Sequence, residues 1–248
     1  RPQAEEKQTA SSATPVKIVR PVRRVQSPYL PIVQHASILE EDKKISDTAL
    51  RLILPPECHN VIEKFFVTYD KNLKSRGYAG ASTMIIQSLQ NKKEQLAISI
   101  HEATHVWDLG CKVGTASSGN SAFRDGKIVM YNDDPSVAFY SISWTAENIQ
   151  KVQAKKEDFV TGYAASNVFE DLSESATYYV LNKDAFLARA KSNTALAKKL
   201  AWIETELFPG GIHVATPDPK EAWKGKVPWD ATKTVFEWND AKKVALGQ

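Results

Sequence analysis

The sequence predicts an α+β fold that is mainly helical around one site and carries a small β insertion. Two segments have helical apolar spacing and capping residues, near 92 to 109 and 167 to 181. Short β-rich runs lie between them, from 114 to 144. The chain has 248 residues, of which 42% are hydrophobic and 25% charged, enough for one good core. We therefore expect a single domain over 29–248.

The most informative motif is His-Glu-Ala-Thr-His at positions 101 to 105. His101 and His105 lie four residues apart, so they share one face of a helix, and Glu102 can reach a water held on a metal ion. Two histidines that merely hydrogen-bond in a core are the alternative. The glutamate beside the first histidine favours a zinc site. Such a site of the catalytic kind takes three protein ligands, so a third is needed.

The flanking residues predict the ends of this first helix. Asn91 is a candidate N-cap, and Glu94 completes the pattern of a capping box. Gly110 follows the last apolar residue and is expected to end the helix in the left-handed conformation. Asp108 could orient a ligand histidine, but the pattern favours a solvated acid at the helix end.

The third ligand is not another histidine near the motif. A metzincin would have glycine at position 108 and histidine at 111, where this chain has Asp108 and Cys111. The remaining histidines lie in segments without a supporting motif: His35, His59 and His213. A carboxylate is therefore the expected third ligand.

The second predicted helix supplies candidate carboxylates. Asn167 is a plausible N-cap, and Glu170 and Glu174 share a face at a spacing of four residues. One could bind zinc while the other orients a histidine. Alternatively, Glu170, Asp171 and Glu174 form a solvated face near a helix N-terminus, where acids are favoured. The spacing alone leaves both interpretations open.

On these motifs the chain resembles gluzincin-type metallopeptidases of the anthrax lethal factor-like group, which pair H-E-x-x-H with a later Tyr-(six residues)-Glu-x-x-x-Glu segment. The matching residues are His101, Glu102, His105, Tyr163, Glu170 and Glu174. It is also similar to zinc-binding metallopeptidases of bacterial envelopes. The resemblance implies a zincin-like domain in which His101, His105 and Glu170 bind zinc. It further implies that Glu102 is the general base, that Tyr163 donates to the oxyanion, and that Glu174 is the partner of a ligand histidine.

The resemblance covers residues 95 to 182. The lethal factor-like pattern has aromatic residues and alanine between the glutamates, where this chain has Asp171, Leu172 and Ser173. The expected function is zinc-dependent hydrolysis of peptide bonds in a peptide or protein substrate, by a water that Glu102 activates. Two alternatives remain open: a non-catalytic envelope or binding protein that retains the fold, and a zinc hydrolase of a non-peptide amide.

Composition and the chain ends bound the setting. A net charge of +3 and spread lysines do not support nucleic-acid binding. No apolar run approaches the roughly 20 residues needed to span a bilayer. The chain begins at Arg1 without an initiator methionine, which suggests a leader that was removed or omitted, and hence a secreted or periplasmic envelope protein. Cys58 and Cys111 could pair in an oxidising compartment or remain free thiols. The oligomeric state is open.

The other segments are assigned as follows. Residues 1–28 are expected to be an extended tail, because they are polar and interrupted by prolines. Helical spacing over 60–70 predicts a packing helix. Runs at 127–131 and 139–144 predict strands that could form the substrate-binding edge or only cover the core. Residues 183–207 are helical in pattern. Pro209-Gly210-Gly211 ends this pattern and begins an irregular segment, 209–248, that contains three tryptophans.

Overall fold

The computed structural model describes residues 28–70 and 75–212. Residues 1–27 of the predicted tail and most of the tryptophan-containing C-terminal segment lie outside this part of the chain. The described residues form five α-helices, α1 (Glu40–Ile53), α2 (Lys92–Val106), α3 (Pro135–Ser143), α4 (Val168–Ala190) and α5 (Thr194–Trp202). Seven strands accompany them: β1 (Lys64–Thr68), β2 (Gly77–Ala79), β3 (Thr83–Gln87), β4 (Asn120–Asp125), β5 (Ile128–Tyr131), β6 (Trp144–Ala146) and β7 (Ile149–Gln150). This mixture is compatible with the predicted α+β class.

The strands form one three-stranded sheet and two short pairs. In the sheet, β3 lies in the centre, β1 runs parallel to it and β2 antiparallel, in the order β1-β3-β2. The other strands form antiparallel pairs, β4 with β5 and β6 with β7. Helix α2 packs against α1, α4 and the strands β2 and β3. Since Ala97, Ile100, Ala103 and Val106 of this helix are buried, α2 is the central element of the core.

The predicted packing helix over 60–70 is wrong, because residues 64 to 68 form β1. Phe65 is buried whereas Phe66 is exposed, which is the alternation of a strand with one covered face. Phe66 pairs with Ile85 of β3. Aromatic and β-branched residues suit this position. The partner strand is distant in the sequence, so local apolar spacing alone favoured the helix.

The β insertion is half confirmed. Residues 128 to 131 form β5 of the hairpin, as predicted for the run 127–131. The run 139–144 is not a strand, since all of it except Trp144 belongs to α3. The Asp134 carboxylate caps that helix by accepting a hydrogen bond from the amide of Ser136 at 2.9 Å. This N-cap outweighs the β propensity of the aromatic residues that follow it.

The helical pattern over 183–207 is confirmed, with a break between two helices. Helix α4 is kinked at Asn182, and α5 continues into a π-helical turn, Ile203–Leu207. Gly210 and Gly211 then take φ values of +86° and +94°, which are accessible mainly to glycine. The helical segment therefore ends before these glycines, as predicted.

A disulfide joins Cys58 and Cys111, whose Cα atoms are 5.5 Å apart. Of the two alternatives for these cysteines, pairing is the one in the structure. Cys58 ends a short 3₁₀ turn before β1, and Cys111 ends a π-helical turn, Trp107–Cys111, that follows α2. The bond therefore fixes the C-terminal end of the helix that carries the His-Glu-Ala-Thr-His motif.

Replacing both cysteines by serine should destabilise the fold. The disulfide closes a loop with a sequence separation of 53 residues, and such a cross-link contributes about 2–4 kcal/mol by restricting the unfolded chain. Urea unfolding of the double variant and of the oxidised parent protein, followed by circular dichroism in the presence of a chelator, measures this difference. An unchanged unfolding midpoint would contradict the prediction.

Candidate metal centre

Helix α2 begins as predicted but ends differently. The Asn91 carboxamide oxygen accepts from the amides of Lys93 and Glu94, each at 3.2 Å, which confirms the N-cap. The Glu94 carboxylate does not complete the box; it forms an ion pair with Arg76. Gly110 does not take a left-handed conformation, because helical bonding continues through the π-helical turn. A Cβ at Gly110 would lie 1.9 Å from the carbonyl oxygen of Ala81, so close backbone approach requires the glycine.

The structure brings the three predicted zinc ligands together. His101 Nε2 lies 2.9 Å from Glu170 Oε2 and 3.1 Å from His105 Nε2, and the third side of this triangle, from His105 Nε2 to Glu170 Oε2, is 3.5 Å. Donor atoms of a tetrahedral zinc site with bonds of about 2.1 Å lie about 3.4 Å apart. The spacing and the donor types therefore fit a zinc ion. Among the described residues, this is the one cluster of three such donors.

Glu174 contacts the opposite side of the His101 ring. Its Oε1 atom lies 2.9 Å from His101 Nδ1, and its Oε2 atom accepts a 2.5 Å hydrogen bond from the Thr161 hydroxyl. Glu170 thus lies in the donor triangle and Glu174 lies behind His101, which are the positions that the implied roles require. The contribution of Thr161 was not predicted. No local pattern marks it, since it precedes Glu174 by 13 residues.

The helix that carries both glutamates does not present a solvated acidic face. Asn167 caps it by accepting from the amides of Phe169 and Glu170, as predicted. Asp171 is fully buried and pairs with the buried Lys199 ammonium at 2.6 and 2.8 Å. The interpretation as a solvated face is therefore wrong. The pairing of Asp171 fixes the rotation of α4 and so directs the glutamates towards α2.

The charges of the cluster are strongly coupled. Burial alone would lower the pKa of His101, but hydrogen bonds to Glu170 and Glu174 outweigh burial and raise that pKa well above its ordinary value. Burial would likewise raise the pKa of Glu170, yet the two histidines hold it below its usual range. Carboxylates only accept hydrogen bonds, so without a metal both ring nitrogens of His101 must donate. A bound cation would take the place of the proton on Nε2.

Glu102 lies beside this triangle and is poorly solvated. Its side chain has no hydrogen-bond partner among the described residues, and burial raises the pKa of its carboxyl group. Gly77 of the edge strand β2 forms the wall next to it, because a Cβ there would lie 2.3 Å from Glu102 Oε1. Gly77 was not predicted, because its importance depends on direct contact with a residue that is distant in the sequence.

Tyr163 is located at the rim of the same cleft. Its ring centroid is 5.9 Å from that of His101, and 44% of the residue's surface is exposed to solvent. Burial and the nearby Glu170 raise the pKa of Tyr163 above its usual range, so its hydroxyl remains a donor. The cleft has a volume of about 340 Å³. Strand β2 lines one edge of the cleft. The predicted β insertion contributes only Asp125 to the lining residues.

Asp108 is not the predicted solvated acid. It is fully buried and accepts a 2.5 Å hydrogen bond from the Tyr140 hydroxyl, because the π-helical turn directs its side chain into the core. It makes no hydrogen bond to either histidine of the motif; the outer nitrogen of His105 lies 3.1 Å from Ser173 Oγ. Among the other histidines, His35 contacts Ser37 and His59 contacts the Leu54 carbonyl, whereas His213 lies outside the described residues.

No family model, curated protein or solved structure matches this chain. Within 28–70 and 75–212, no helix combines the length and the apolar character that crossing a bilayer requires.

Asp108 should make the stability of the fold depend on pH. Burial raises its pKa to about 7, whereas the unfolded carboxyl group titrates near 4. Between these values the folded state binds more protons, so stability falls as pH rises, by up to about 1.4 kcal/mol per pH unit. Urea unfolding of the parent protein and of Asp108→Asn at pH 4 to 8, with a chelator present, should show a flatter curve for the variant. Parallel curves would argue against a raised pKa.

Replacing Gly77 by alanine should displace the Glu102 carboxylate. The matched control is Gly80→Ala, since Gly80 lines the same cleft but has no atom within 4 Å of an added Cβ. If Glu102 is the general base that the motif predicts, hydrolysis of a peptide library should fall about 100-fold in Gly77→Ala. Zinc content should stay near that of the parent protein. Equal activity in both variants would show that this wall does not position Glu102.

Proposed function

We propose that this chain is a zinc-dependent metallopeptidase with a zincin-like fold. One observation carries the proposal: His101 Nε2, His105 Nε2 and Glu170 Oε2 lie 2.9 to 3.5 Å apart, beside the buried Glu102 carboxylate. Two imidazoles and one carboxylate are a donor set of catalytic zinc sites. A purely structural or binding site has no need of a further carboxylate without a partner in its cleft. This consideration favours an enzyme over a binding protein.

The chain's own residues would move the proton. When bound, zinc supplies a Lewis acid and lowers the pKa of a water molecule in the cleft. Glu102 is the one buried carboxylate in the cleft lining outside the donor triangle, so it would accept the proton from the attacking water. Its raised pKa brings it nearer to neutrality, where a general base works well. It would then pass the proton to the leaving amine.

Tyr163 would act on the carbonyl oxygen of the scissile bond. Tyr163 lines the cleft, and the raised pKa of its hydroxyl group keeps that group protonated. A hydrogen bond aimed at developing negative charge stabilises the transition state more than the substrate. The ring is half-exposed at the rim of the cleft, where a substrate can reach it. We therefore assign to Tyr163 the hydrogen bond to the oxyanion. We propose a peptide or protein as the substrate.

We also propose that the protein works outside the cytoplasm, as a secreted or periplasmic envelope protein. The disulfide between Cys58 and Cys111 supports this assignment, because such bonds persist in oxidising compartments.

Two measurements test the proposal. Elemental mass spectrometry of the purified protein should find about one zinc per chain, and His105→Ala should lose it, since two donors hold zinc poorly. Glu102→Gln should keep zinc but lose hydrolysis of a quenched fluorescent peptide library by about 100-fold or more. Zinc bound without any hydrolysis by the parent protein would favour the binding-protein alternative. Full activity in Glu102→Gln would refute the assigned base, and absence of zinc after incubation with the metal would refute the site.

A further inference from the structure

The two ligand histidines have chemically different partners behind them. His101 Nδ1 contacts the charged Glu174 carboxylate at 2.9 Å, whereas His105 Nδ1 lies 3.1 Å from the neutral hydroxyl of Ser173. Ser173 is fully buried. Among the described residues, the Ser173 hydroxyl is the one hydrogen-bond partner of His105 Nδ1.

A single face of α4 serves both histidines. Glu170 contacts the inner nitrogens of both rings, Glu174 contacts the outer nitrogen of His101, and Ser173 contacts that of His105. The two histidines lie one turn apart on α2, and residues within one turn of α4 contact both of them. The position of Ser173 is fixed by the same helix that supplies the carboxylate of the donor triangle.

A neutral imidazole carries its proton on either nitrogen, and only the nitrogen without it can bind a cation. The triangle uses Nε2 of His105, so the proton must be on Nδ1, where the Ser173 oxygen can accept it. We infer that Ser173 is a positioning residue, which holds His105 in the orientation and tautomer that presents Nε2 to the metal. The inference rests on the proposed function, because it takes His105 as a zinc ligand.

The test is Ser173→Ala, with Ser175→Ala as the matched control. Both serines are fully buried on α4, but the Ser175 hydroxyl contacts Asp171 at 3.4 Å and neither ligand histidine. Competition with a chromophoric chelator gives the zinc Kd, and loss of a partner behind a ligand histidine weakens binding about 10- to 100-fold. We expect that loss in Ser173→Ala and less than about a twofold change in Ser175→Ala, on the same scale. Alanine favours helix, so Ser173→Ala should fold. If Ser173→Ala does not fold, Ser173→Thr is measured in its place. Ser173→Thr keeps the hydroxyl and should retain the parent Kd.

The absorption spectrum of the cobalt-substituted protein separates positioning from general stability. Cobalt reports the ligand geometry directly, so Ser173→Ala should change the visible bands while Ser175→Ala leaves them unchanged. A parent-like zinc Kd in Ser173→Ala, or an equal loss in both variants, would overturn the inference. A parent protein that binds no zinc would instead refute the proposed function.

Discussion

The hydrogen bonds between His101 and its two glutamates connect the helices on which the site depends. His101 belongs to α2, whereas Glu170 and Glu174 belong to α4, and each glutamate oxygen lies 2.9 Å from a ring nitrogen. Buried charges are tolerated only when they are paired, and removing one partner of such a pair costs about 3–5 kcal/mol. These two contacts therefore strongly constrain the relative position of the two helices.

Helix α4 is held from two sides within one turn. Asp171 follows Glu170 directly and points about 100° away around the helix axis, where the Lys199 ammonium and the Trp144 indole N–H donate to it. Glu170 and Glu174 face α2 on the other side. Because one side of the turn pairs with α5 and the other with α2, rotation of α4 would break both sets of buried contacts. This explains how the Glu170 carboxylate is held 2.9 Å from the Nε2 atom of His101 and 3.5 Å from that of His105.

The parts of the site that could be predicted are those encoded over a few neighbouring residues. The His-Glu-Ala-Thr-His spacing and the Asn167 cap specify helical faces directly, because the helix period fixes which side chains share a face. The spacing alone left the choice of carboxylate open, and the family resemblance pointed to Glu170. Local pattern failed where a contact was long-range. Strand β1 needs its partner β3, Gly77 leaves room for the Glu102 side chain from another element, and Ser173 contacts a histidine on another helix. Asp108 was misplaced for a related reason, since an α-helical period does not anticipate a π-helical turn.

The bond between Cys58 and Cys111 also determines how the protein has to be prepared. It secures the turn that ends six residues after His105, so a thiol reductant in the buffer would release one end of the helix that carries both histidines of the motif. A chain produced in a reducing cytosol would begin from that released state. Zinc content or activity measured on such a sample would describe a loosened helix, and low values would say little about the oxidised protein. Purification under oxidising conditions, with the thiols counted, is therefore part of any assay of this site.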